Sequence, residues 1–118
     1  MKLVDMKKLL FVITIITMSC QMNGKDNVSL KSLYKEGALL LDVRTVGEFE
    51  QGHIDGSRNI PVGELPSRLN ELDKNQKIIV YSLSGGRSSR AKGILEKNGF
   101  KQIASGGAWE AVKKKINE

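Results

Sequence analysis

In IIVYSLSGGRSSRA (Ile78–Ala91), four β-branched and aromatic residues run straight into Ser82, two glycines follow at Gly85 and Gly86, and small and charged residues then take over. An unbroken run of this kind suits a strand buried on both faces, because such a strand has no solvent side to alternate towards. With Lys77 in front, the predicted strand covers 77–82. After the glycines, RSSRAKGILEKNG predicts a helix from about Arg87 to Asn98, closed by Gly99. The local unit is therefore strand, tight turn, helix.

The same alternation extends in both directions. Upstream, VSLKSLYKEG predicts a short helix capped by Ser29 and closed by Gly37. ALLLDV (Ala38–Val43) is a second apolar run and so a second strand buried on both faces. VGEFEQG fits one or two helical turns before Gly52, and SRNIPV fits a short extended piece stopped by Pro61. ELPSRLNELD places Leu65, Leu69 and Leu72 at helical spacing, with Pro66 tolerated in a first turn. Downstream, FKQIA is the predicted third strand, and GGAWEAVKKKI closes the chain as a helix after a glycine turn. Strands alternating with helices predict an α/β fold, a parallel sheet with helices on both faces. Ligands in such sheets bind beyond the carboxyl ends of strands, and Ser82 to Arg87 occupies that kind of place.

A chain of 118 residues holds one small domain. Its formal charge of +6 raises the question of nucleic acid, but the lysines are scattered apart from Lys113-Lys114-Lys115. That run suits the solvated last turn of a helix, where cations complement the dipole, and no nucleic-acid module is present. One cysteine, Cys20, and one histidine, His53, exclude an internal disulfide and fall short of the four ligands of a structural zinc site. No metal and no cofactor is expected.

The first residues, MKLVDMKKLLFVITIITMSC, place Lys7 and Lys8 before an apolar stretch from Leu9 to Met18. A basic flank, a short apolar run and a small residue form the pattern of a secretory signal, and the run falls short of the roughly 20 residues that span a membrane. Its end resembles a bacterial lipoprotein signal, in which the cysteine is lipidated, although Thr17 stands where leucine is usual. A buried helix that ends in cysteine is the alternative. The expected organisation is a signal peptide over 1–19, a polar tether over 20–27 and one domain over 28–118, exported and attached to a membrane only through lipid on Cys20.

The loop itself carries the chemistry. Gly85-Gly86 at a helix start can aim successive backbone N–H groups at one point, which with the positive helix end forms a cradle for an anion. Arg87 adds a planar fork suited to an oxyanion, and Leu83, Ser84 and Ser88 complete the candidate binding set. An ordinary strand-to-helix turn has the same spacing, so both readings stand on spacing alone. A cysteine at position 82 would be a low-pKa thiolate in such a cradle. Serine needs a neighbouring general base, and with His53 far along the chain no triad order is recognisable, so Ser82 is expected to be inactive as a nucleophile.

Three segments in order, LLLDVRTVGEFEQGHIDGSRNIP (Leu39–Pro61), IIVYSLSGGRSSRA (Ile78–Ala91) and GFKQIASGGAWEAV (Gly99–Val112), resemble a single rhodanese-like domain over about Val28 to Lys115. The resemblance implies a five-stranded, mainly parallel sheet flanked by helices. It also implies sulfur transfer, from a donor such as thiosulfate onto a cysteine and then to a thiophilic acceptor. That cysteine aligns with Ser82, and Arg87 lies five positions later, which resembles the sulfurtransferase loop length rather than the longer phosphatase one. A persulfide cannot form on oxygen. Either the serine is native and the cradle binds a small oxyanion or sulfur-containing anion without turnover, or a cysteine has been exchanged for it. A third alternative is an interaction module that holds a protein partner at the loop edge.

The resemblance further implies that Asp42 and Arg44 brace the loop and that His53 is structural rather than a base. Glu48 either pairs with Arg44 or faces solvent. Trp109 is expected to pack the last helix, and Arg90 to be a solvated helix residue in preference to a second cationic wall.

Overall fold

The computed structural model describes residues 29–118. The leader, the tether and Cys20 lie outside the described residues. Helix α1 (Leu30–Lys35) is capped by Ser29, whose side chain accepts from the Ser32 N–H, and Gly37 turns the chain at a φ of 93°. Strand β1 (Leu39–Asp42) leads to α2 (Val46–Gln51), which opens with a reciprocal capping box between Thr45 and Glu48. A two-residue strand β2 (Arg58–Asn59) follows, then β3 (Ile78–Ser82), α3 (Gly86–Lys97), β4 (Ile103–Ala108) and α4 (Trp109–Ile116).

The strands form a parallel sheet in the order β2-β1-β3-β4. Its two faces are the two sides of the same apolar runs, since successive side chains on a strand point in opposite directions. Leu41, Val43, Ile78 and Val80 pack on one side with Ala91 and Leu95 of α3, with Leu65 and Leu72 completing that layer. Leu40, Ile79 and Tyr81 pack on the other with Val112 and Ile116 of α4, and Leu30 and Leu33 of α1 close over them. The predicted α/β layering is therefore the observed one.

Three local expectations are corrected. The sheet has four strands among the described residues rather than five. ELPSRLNELD forms two 3-10 turns, 65–67 and 69–71, instead of a helix, because Arg68 between them leaves helical geometry at φ −122° and ψ 18°. The last strand is not FKQIA. It begins at Ile103 and runs through the glycines that were expected to turn. The register slips opposite Val80 and Tyr81, so that Ser105 and Gly107 are the paired residues and Gly106 is the extra one. A Cβ on Gly106 would lie 2.4 Å from Cγ2 of Val112, so the bare backbone is what lets α4 seat against β4.

Candidate functional site

Strands β1 and β3 run side by side, with Asp42 paired to Tyr81, and so end at the same edge. Ser82 is the last residue of β3 and only 1% exposed. Beyond it the chain reverses into α3 with Gly85 at φ 105°, a conformation that favours glycine. Ser82 Oγ accepts from the Gly85 N–H at 3.1 Å and the Ser88 N–H at 3.2 Å. Buried Ser88 donates its hydroxyl to the Gly85 carbonyl at 2.9 Å and meets the Ser105 hydroxyl at 3.1 Å, which ties the loop to β4. The N–H groups of Gly86 and Arg87, the first two of α3, have no protein acceptor among the described residues. Free donors and the positive helix end thus lie together in the loop.

A buried ion pair lies beneath this edge. Arg44 donates from Nη2 to Asp42 Oδ2 at 2.6 Å and from Nε to both carboxylate oxygens at 3.0 Å, with a further bond from Nη2 to the Gly52 carbonyl at 2.7 Å. The hydrogen bonds it donates to the Asp42 carboxylate raise the pKa of Arg44, so the guanidinium stays charged although the residue is only 3% exposed. The rings of Tyr81 and Trp109 flank it at 5.9 and 4.8 Å. Asn59 donates to the carbonyls of Asp42 and Arg44, which fixes the bend after β1. Tyr81 donates to Ser57 Oγ at 2.8 Å and accepts from the Ile54 N–H, and burial pushes its phenol up to about 12.

Glu48 takes neither of its expected places. It forms a fork-to-fork pair with Arg87, Nη1 to Oε1 at 2.8 Å and Nη2 to Oε2 at 3.1 Å. Hydrogen bonds from Arg87 and from the Thr45 backbone hold its carboxyl down to about 2, and Glu48 in turn raises the pKa of Arg87. Arg87, expected as an anion fork, is therefore already engaged. His53 stacks on Phe49 at 3.7 Å and places Nδ1 2.8 Å from the Phe49 carbonyl, so its contacts are those of a turn residue. Arg90 is exposed, and Ser84 and Gly86 are exposed at the loop surface.

Beside the loop opens a cleft of about 370 Å³ lined by Arg44, Glu48, Gln51, Gly52, Leu83, Trp109 and Glu110. Leu83 is 52% exposed at its mouth. Trp109 packs against the α1–α4 core, as expected, and also covers Arg44. Sequence reasoning did not find the roles of Asn59, Ser105 or the Glu48–Arg87 pair. For Glu48 a signal existed, since Thr45 followed three residues later by glutamate is the signature of a capping box.

The family model for the rhodanese-like domain matches residues 26–115. The uncharacterized protein YqhL of Bacillus subtilis is 46% identical over 66 residues, which is 56% of this chain and 52% of that protein. The chain thus spans about half the length of that relative. The thiosulfate sulfurtransferase PspE of Escherichia coli is 35% identical over 74 residues, covering 61% of this chain and 71% of PspE. A solved structure, described as a rhodanese with anions from E. coli, superposes with a TM-score of 0.60 at 31% identity, over 64% of this chain and 91% of its own.

Proposed function

The chain belongs to the rhodanese-like family, and on that premise we propose that its 82–88 loop cradles a small oxyanion or sulfane-sulfur species without passing the sulfur on. The observation that carries this reading is the convergence of the Gly85 and Ser88 N–H groups on Ser82 Oγ. Donors aimed at that atom are what a thiolate nucleophile at the same position would need, since they stabilise its negative charge. Here they meet a hydroxyl. Sulfur transfer by this route requires a nucleophile that forms an S–S bond to the donor sulfur as the donor's own bond breaks, and oxygen forms no such persulfide.

Among the described residues no base compensates. A serine is activated by a neighbouring group that takes its proton, and the hydrogen bonds of Ser82 Oγ lead only to backbone N–H donors, with His53 turned towards Phe49. The chemistry that remains is binding, through loop N–H groups at the start of α3. Similarity to PspE and to the anion-containing rhodanese supports a small sulfur anion as the ligand class.

The test compares the protein with its Ser82→Cys variant in sulfur transfer from thiosulfate to cyanide. Turnover by the variant and none by the parent is the expected outcome. Turnover by the parent would overturn the reading of Ser82. Folded proteins of which neither turns over would mean that the loop has lost more than one atom of its chemistry, and the interaction-module alternative would then take its place. The leader-like segment supports export and lipid attachment at Cys20, and mass spectrometry of the membrane fraction should find the cleaved, acylated chain. An intact, unmodified chain there would remove that part of the proposal.

A further inference from the structure

We propose that Glu48 sets the charge selectivity of the loop: by holding the Arg87 fork, it biases the cradle against doubly charged oxyanions and in favour of singly charged or neutral sulfur groups. This rests on the reading of residues 82–88 as an anion cradle. Both terminal nitrogens of Arg87 are spent on the two oxygens of one carboxylate. Glu48 cannot simply follow the arginine aside, because Oε1 also accepts from the Thr45 N–H at 2.9 Å and the Thr45 hydroxyl at 3.0 Å. Moving it would open one half of the capping box of α2. The pair is nevertheless about one-third exposed, at 34% and 30% for the two side chains, so an incoming ligand meets it at the surface.

The second arginine of the site does not offer a free fork, since Nε and Nη2 of Arg44 are committed to Asp42 and the Gly52 carbonyl and only Nη1 is left without an acceptor among the described residues. What remains for an anion is the set of loop N–H donors and the Nη1 edge of Arg44, beside an ion pair whose two charges cancel in place of a free cation. Coulomb energy scales with the product of the charges, so the loss of a free guanidinium costs a dianion about twice what it costs a monoanion at the same distance. A guanidinium released from Glu48 would reverse that order, because its parallel donors match two oxygens of a tetrahedral anion.

The deciding experiment is calorimetric titration of the full chain and its Glu48→Gln variant with thiosulfate and with thiocyanate as the singly charged probe. Glutamine at this position keeps the capping-box acceptor, so α2 stays capped. The dissociation constant for thiosulfate should fall at least about tenfold in Glu48→Gln, the effect of one recovered charge-assisted hydrogen bond. Thiocyanate affinity should change less. The gain should vanish in Glu48→Gln/Arg87→Gln, which a purely structural role of Glu48 does not predict. An equal shift for both probes, or none for thiosulfate while both proteins bind it, would overturn the proposal. The parent alone provides an independent check, since a tenfold or greater preference for thiosulfate over thiocyanate would also sink it. If no protein binds either probe, the anion-cradle reading fails and this inference fails with it.

Discussion

At Asp42 and Arg44 two opposite charges sit almost wholly out of water, and their stability depends on each other. Removing one partner strands the other, which typically costs about 3–5 kcal/mol, far more than a surface pair of the same length contributes. Asp42→Ala should therefore lower the unfolding free energy obtained from urea titration by an amount in that range, with Arg44 left buried over Trp109. A loss below about 1 kcal/mol would mean that the charge is hydrated or re-paired through the cleft. The residue-level site was partly legible in the sequence. Ser82, Gly85, Arg87 and Ser88 lie within one loop, and contiguous residues betray a shared task. The bond between Glu48 and Arg87 crosses 39 positions, and no local pattern encodes it. Ser105 was hidden for the same reason, as it reaches Ser88 only through the pairing of β4 with β3.

That same pair joins two elements, the start of α2 and the start of α3. Its carboxyl ionises near 2 when folded against an ordinary value of 4.5. A depressed pKa contributes stability that is complete above the ordinary value and is lost as pH falls through the folded one. The clasp between α2 and α3 should thus stay closed from neutral pH down to about 4.5 and weaken between there and about 2. Hydrogen exchange at the α2 and α3 amides across that window checks this, and opening already at pH 6 would contradict it. Strands β1 and β3 were legible because burial on both faces leaves an unmistakable apolar run. Strand β4 was displaced because Ile103-Ala104-Ser105-Gly106-Gly107-Ala108 has almost no strand-forming side chains of its own. Its conformation is set by the ladder to β3 and by the approach of Val112 over Gly106. The leucine spacing in 65–72 gave a helical signal, and two of its leucines are indeed buried, but separate 3-10 turns deliver them to the core just as well.

At the scale of the whole molecule, the alternation of apolar runs with helical segments was enough to predict the layers, because a parallel sheet must cover both faces. Strand number was less accessible, since the two-residue β2 barely differs from a loop in sequence. The hydroxyl that ends β3 has one further consequence for the molecule. All four methionines and the lone cysteine lie within the first 22 residues, so residues 29–118 contain no sulfur atom. A domain of a sulfur-handling family is here chemically blank in that element, and peroxide has no thiolate to attack at the loop. Any sulfur that travels with those residues is cargo, and elemental analysis would count occupied sites directly.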